Sequence, residues 1–293
     1  MNLPQISIVT PSFNQAPFLE ATLRSVLDQN YPRLEYIVMD GGSTDGSRDI
    51  IESHADRLAE WRSEKDGGQY NAIETGFARS TGEIMGWLNS DDMYFPWTLH
   101  TVGKIFAQFP EVDWITGLYP ANWNKHGEPY HVGKKAGFNR RFFQKGLYLS
   151  DPKHPTRGCI QQESTFWRRS LWEKAGACFR NEYSLAGDFD LWLRFFAHSD
   201  LVGVGTLLAG FRQHGNQRSL NERDAYLEEA KAALQQSGGG SEEGLASWIR
   251  EAGWGKRWPL KILPSMGWIQ PVRNIRWSFA KQSWTLEQEW VTQ

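Results

Sequence analysis

Apolar positions in the first ninety residues alternate between two periods. Gln5 to Thr10 is a short β-branched run and reads as a buried strand. Ala16 to Gln29 places Phe18, Leu19, Leu23, Val26 and Leu27 near the helical repeat, and Tyr31-Pro32 ends it. Leu34 to Met39 is a second strand delivering Asp40, followed by a Gly-Ser-Thr-Asp loop that caps a helix over Arg48 to His54. Leu58 to Ser63 is a weaker strand, Gln69 to Ala78 a helix, and Ile84 to Leu88 a strand ending in Asn89-Ser90-Asp91-Asp92. Strand–helix alternation with short connections predicts an α/β fold, a mostly parallel sheet with helices on both faces.

In such sheets ligands sit beyond the carboxyl ends of the strands. Four loops collect there: Thr10–Asn14, Asp40–Asp45, Lys65–Gly68 and Asn89–Asp92. Three of them carry a carboxylate. Adjacent Asp91 and Asp92 repel unless a proton or a cation relieves them, and Mg2+ takes carboxylates together with substrate phosphates. The residues alone leave a second reading, a solvated acidic turn. Asp40 is an acceptor for a nucleobase N–H or a turn Asp. Thr10 and Pro11 form a wall with a carbonyl for a base, or a plain strand exit. Asp66 sits beside two glycines that permit close backbone approach, or it marks an ordinary turn. No GxGxxG follows the first strand and no P-loop Lys is present, which disfavours a nicotinamide enzyme or an NTPase.

Further on, Pro96 to Phe109 is amphipathic, Trp114 to Leu118 reads as a strand, and Asn122 to Leu149 shows weak periodicity. That irregular stretch is expected to carry acceptor contacts. Gly158 to Trp167 leads into a short helix over Arg168 to Ala175. Asp188 lies at the start of an apolar helix, where an N-cap is the plain reading. Ala225 to Gln236 is a helix, and Ser237 to Ser241 reads as a linker.

Composition narrows this picture. Over 293 residues the formal net charge is -2, so no global basic field favours nucleic acid. Cys159 and Cys178 lack metal-ligand spacing and suggest a reducing compartment or simple burial. No signal peptide and no apolar run long enough to span a membrane is read, so a cytoplasmic location is expected. The 15 Trp residues are unusually many. Seven lie between Trp248 and Trp290, among Lys and Arg, which suits a membrane surface or packing on the chain's own domain.

The runs Ile8–Asn14, Asp40–Ser47, Glu64–Gly68 and Trp87–Asp92, in this order, resemble the family 2 glycosyltransferases of GT-A fold. The resemblance spans roughly residues 4 to 218. It implies a GT-A domain at 1–220, with a nucleotide-sugar half at 1–95 and an acceptor half at 96–220. Residues 221–293 are then a C-terminal helical, Trp-rich extension. It also implies an inverting transferase that uses a nucleotide-diphosphate sugar, a UDP-sugar favoured, and a divalent metal, Mn2+ or Mg2+. The acceptor is a glycan or lipid-linked hydroxyl, in polysaccharide synthesis, with peripheral membrane contact through the tail.

By position, Asp40 matches the base-binding aspartate, and Thr10, Pro11, Asn14, Asp66 and Asp91 join it in nucleotide binding. Asp91 matches the metal-binding aspartate, with Asp92 and His214 as further metal candidates, since the family often ends with an Arg-x-His segment near the diphosphate. Asp188 matches the general base, expected at a pKa depressed by the helix dipole. Gln162, Glu163 and Asp190 are candidates for acceptor or donor-sugar contact. The sequence departs from the family at Gly41 and Asn89, where many members have aspartate, and at Gly187, where Glu precedes the base. Those losses leave a second function class open, a non-catalytic nucleotide-sugar scaffold or sensor. A nucleotidyltransferase would need a Gly- and base-rich loop after the first strand, which Pro11–Asn14 is not.

Overall fold

The computed structural model describes residues 2–149, 157–215, 217, 221–240 and 269–292. Its centre is a nine-stranded sheet. The first four strands are β1 (Ile6–Ser12), β2 (Leu34–Asp40), β3 (Glu60–Ser63) and β4 (Ile84–Trp87). After β5 (Met93–Tyr94) come β6 (Trp114–Gly117), β7 (Ala121–Asn124), β8 (Pro129–Val132), β9 (Thr165–Arg168), β10 (Val202–Val204), β11 (Ala209–Gln213), β12 (Ile269–Ser278) and β13 (Ser283–Thr292). The sheet order is β13-β12-β10-β6-β9-β4-β1-β2-β3. Only β9 and β13 run against the rest. The carboxyl ends of β1 to β4 and the amino end of β9 therefore share one edge. A smaller sheet, β5-β11-β7-β8, lies beside it.

Strand alternation sends side chains to two cores. Val9, Ile37, Met39 and Trp87 face α3 (Gln69–Arg79), α6 (Arg169–Lys174) and α7 (Gly187–His198). Ile6, Ile8, Tyr36 and Val38 face α1 (Ala16–Leu27) and α4 (Thr98–Gln108). The remaining helices are α2 (Ser47–Ser53), α5 (Arg140–Gln144) and α8 (Arg223–Gln236). The tryptophans mostly explain themselves here. Trp87, Trp114, Trp167 and Trp192 are 0–2% exposed and meet one another at centroid separations of 5.5–5.9 Å.

Strand β1 runs two residues further than the β-branched run predicts. Its pairing with β4 ends near Val9, where Leu88 N–H donates to the Val9 carbonyl at 3.0 Å, so the missing N–H of Pro11 costs no ladder bond on that side. The stretch expected to be irregular, Asn122 to Leu149, contains β8 and α5. Asn124 Oδ1 accepts from the N–H groups of His126 and Glu128, and Gly127 takes φ +81° to close the β7–β8 turn.

Of the tail expected to be helical, the described residues are helical at α8 alone. Trp248, Trp254, Trp258 and Trp268 lie outside the described residues. Ile269–Thr292 is instead a hairpin whose β12 joins β10 in parallel. The reason is burial: Val272, Asn274 and Ile275 are 0–2% exposed within the sheet, so β12 is covered on both faces at its centre. No described helix is long and apolar enough to cross a membrane.

If the hairpin is a structural strand pair, Ile275→Ala should cost about 2–5 kcal/mol by denaturant unfolding. A loss below about 0.5 kcal/mol would make it an appendage.

Candidate active site

The last rungs of β1, β2 and β3 set the base-side loops. Ser12 pairs with Asp40, and Asp40 with Ser63. Gly41 N–H donates to the Ser12 carbonyl at 2.8 Å. The Asp40 carboxylate, expected to read a base, is turned into its own loop. Oδ2 accepts from Ser43 N–H (2.9 Å), Gly42 N–H (3.2 Å) and the Ser63 hydroxyl (2.7 Å), and Oδ1 accepts from the Ser43 hydroxyl (2.5 Å). Asp40 is 2% exposed. In this arrangement the carboxylate holds its own loop.

Asp66 stands where that acceptor was sought. Both its oxygens lie 3.2 Å from the position a Cβ on Gly41 would take. Gly41 thus leaves the room that the Asp66 carboxylate fills. Among the described residues only Oδ1 is engaged, by Gly68 N–H at 2.8 Å. Asn14, at φ +51°, brackets the two loops: Thr44 N–H donates to its Oδ1 at 3.0 Å, and its own N–H donates to the Ser43 hydroxyl. Thr10 turns inward, its hydroxyl 2.9 Å from that of Tyr36, and Pro11 is buried. The Thr10 side chain is therefore not a base contact.

The turn after β4 is anchored by Thr22 of α1, whose hydroxyl lies 2.9 Å from the Ser90 carbonyl and 2.8 Å from that of Asp92. The two aspartates part company here. Asp92 is 0% exposed, and its Oδ1 accepts from Arg212 N–H at 2.9 Å. Burial, with Asp91 and Glu163 nearby, pushes its carboxyl well above the usual range. It braces β11 through that bond, while Asp91 is the carboxylate that meets His214. Asp91 stays partly exposed, with Oδ2 3.0 Å from Nε2 of His214. Among the described residues no three His, Cys, Asp or Glu gather as a metal cage. Two donors do. A carboxylate with an imidazole fits a divalent ion whose other positions go to phosphate oxygens and water, and the nitrogen favours Mn2+ over Mg2+.

The Arg-x-His segment was expected near the diphosphate, but Arg212 itself was given no role there. It is 3% exposed, close enough to Asp91 and Asp92 to feel both charges, and its Nε and Nη2 are buried without a partner. Burial lowers its pKa. The signal was in the chain. In Arg212-Gln213-His214 the first and third residues of an extended segment share a side.

The turn Gln162–Ser164 precedes β9 and so reaches the same edge. Gln162 is engaged: its Nε2 donates to the Trp87 carbonyl at 2.7 Å, and its Oε1 lies 3.4 Å from Asn89 Nδ2. Asn89 Oδ1 in turn accepts from Gln69 at 2.7 Å. Gln162 thus pins β4. Glu163 differs. It is 4% exposed, and its Oε1 has no partner. Burial pushes its pKa up to about 8, its own backbone N–H opposes this, and the charges of Asp91 and Asp188 add to it. It is therefore a neutral acid at pH 7, set between the two aspartates.

Asp188 occupies the first turn of α7. Its Oδ1 accepts from Phe189 N–H (2.8 Å) and the Tyr226 hydroxyl (3.4 Å). Its N–H donates to the Tyr70 hydroxyl, which donates to the Leu185 carbonyl at 2.8 Å. A Cβ on Gly187 would come within 2.7 Å of the Tyr70 ring, so the glycine admits Tyr70. Burial raises the Asp188 pKa to about 6 against these hydrogen bonds. The expected depression by the helix dipole is overturned because desolvation outweighs it. Asp190 is 1% exposed and clamped by Arg180 at 3.1 Å and Arg194 at 2.9 Å. It ties α7 to the loop before it and is not a substrate contact.

Comparison with known proteins places this arrangement. The family model described as Glycosyl transferase family 2 matches residues 7–173. An uncharacterized glycosyltransferase of Rickettsia typhi is 26% identical over 227 residues, 76% of this chain and 69% of that protein. Among solved structures, a TarS fragment from S. aureus in complex with UDP-GlcNAc aligns with a TM-score of 0.61 at 15% identity. That alignment covers 80% of this chain and 66% of the TarS chain, just under two thirds of its length. The mannosyltransferase of Pyrobaculum calidifontis in complex with GDP-Man and Mn2+ aligns at 0.55 and 20% identity, over 91% and 80% of the two chains. With the fold shared and the family pattern running across more than half of its length, the chain belongs to glycosyl transferase family 2.

Proposed function

We propose that this protein transfers a sugar from a UDP-sugar to a hydroxyl of a glycan or lipid-linked acceptor, with inversion, and that Asp188 is its general base. The observation that carries this is the setting of Asp188. It is a carboxylate with a pKa of about 6, ionised at neutral pH and still basic enough to accept a proton. The acceptor oxygen forms its bond to the anomeric carbon and gives its proton to Asp188. The bond to the diphosphate breaks, and the nucleotide leaves with the electron pair.

Asp91 and His214 would hold the divalent ion, which when bound supplies positive charge to the diphosphate. Arg212 offers two buried N–H donors beside the same turn. They suit phosphate oxygens. Asp66 accepts the nucleobase N–H. One unengaged oxygen matches the single ring N–H of uracil better than the paired donors of guanine, and TarS with UDP-GlcNAc supports the uridine reading. Glu163, protonated and with Oε1 unpartnered, supplies a hydrogen bond to a hydroxyl of the donor sugar. For a lipid-linked acceptor, the exposed Trp277, Phe279 and Trp290 of the β12–β13 hairpin offer apolar contact with a membrane surface.

Titration calorimetry tests the donor side. Asp91→Ala should remove the part of UDP affinity that depends on Mn2+. Asp66→Asn should weaken UDP about 10- to 100-fold, the weight of a hydrogen bond to a charged group. Equal affinity in wild type and both variants would refute the assignment.

The pH profile tests the base. In the free enzyme kcat/KM should rise with pH through about 6, as Asp188 loses its proton. A flat profile from pH 5 to 8 would contradict it.

A further inference from the structure

Helix α8 lies beyond the family-matched residues 7–173, yet it grips the segment that carries Asp188 at three points. Tyr226 donates its hydroxyl to Asp188 Oδ1 at 3.4 Å. Glu229, three residues later on the same face, accepts from the Ser184 hydroxyl (2.9 Å), Leu185 N–H (2.8 Å) and Ala186 N–H (2.9 Å). Gln236 accepts from the Tyr183 hydroxyl at 2.8 Å. Leu227, Ala230, Ala233 and Leu234 bury the rest of the helix in the main core. The amide groups of Leu185 and Ala186 lie just before α7, Ala186 being its N-cap, and in a capping box a side chain from the helix's own first turn would reach back to the N-cap amide. Here the acceptor comes from another helix.

We propose that α8 is a working part of the active site, with Tyr226 and Glu229 as positioning residues that set the rotamer and the backbone of Asp188. This rests on the base reading above. Two contacts fix different things. Glu229 holds the chain just before Asp188, and so fixes where its Cα sits. Tyr226 holds one carboxylate oxygen, which leaves Oδ2, without a hydrogen bond from the described residues, as the oxygen that meets the acceptor. The hydroxyl bond also favours the ionised form of Asp188. Among the described residues, the groups that face that carboxylate are the Tyr70 hydroxyl from α3, the Tyr226 hydroxyl from α8 and Glu163 from the turn before β9, and Tyr70 also feels the charge of Glu229. None of these is a cation. The Tyr226 hydrogen bond is therefore among the few interactions that keep Asp188 ionised at neutral pH.

The test is the pH dependence of kcat/KM in Tyr226→Phe, which keeps the ring and loses only the hydroxyl. The acidic limb should move up by about 0.5–1 pH unit, so that the rate falls about three- to tenfold at pH 5.5 and recovers by pH 8, with the donor KM unchanged. A limb that superimposes on the wild type, or a loss equal at every pH, overturns the role of Tyr226. Glu229→Gln, close in volume, should lower kcat about tenfold with UDP affinity unchanged, since a misplaced reacting group costs rate before binding. An unaltered kcat overturns the role of Glu229. A wild-type profile without an acidic limb would instead count against Asp188 as the base.

Discussion

The site depends on one constraint, the crowding of four acids at the carboxyl edge of a parallel sheet. Glu163 links them: it feels the charges of Asp91 and Asp188, and Asp92 feels those of Asp91 and Glu163. Four charges cannot coexist there without relief. The chain relieves them unequally. Asp92 is buried behind β11 beside Arg212, and Glu163 keeps its proton at neutral pH. Asp91 stays open to solvent beside His214, and Asp188 is left ionised with a raised pKa. Division of labour among like groups follows from differences in environment, as when paired carboxyls are driven to different pKa values.

Much of the fold was legible because its strands are short, apolar and closed by glycine, serine or aspartate. The two cores follow from strand alternation, and the loop clustering follows from parallel topology. The misreadings share a cause, that local pattern does not see what a segment pairs with. The turn at Asn124–Glu128 is held by one Asn side chain and one glycine, a weak signal inside an irregular run. The hairpin at Ile269–Thr292 has only Val272, Asn274 and Ile275 deeply buried before its tip, which is little to distinguish it from a charged, Trp-rich helix.

At the site, the sequence located loops better than atoms. Asp40, Asp92, Gln162 and Asp190 all arrive near the expected place, yet each carboxylate or amide is engaged by the protein itself. Such engagement is decided by loop geometry, and one-dimensional spacing does not encode it. The glycines told more than they first offered. Gly41 gives space to Asp66, and Gly187 gives space to Tyr70, so these two departures from the family pattern are each filled from a neighbouring element. Arg212 was hidden because an arginine within a strand reads as an ordinary surface residue until its burial is seen.

The most direct test of the account is sugar transfer by Asp188→Asn, with UDP affinity measured on the same preparation. Removing a general base while keeping the side-chain shape should slow transfer about 10²- to 10⁴-fold and leave UDP binding near the wild-type value. Transfer at the wild-type rate would show that the proton of the acceptor goes elsewhere, and that the crowding of acids at the sheet edge serves binding alone.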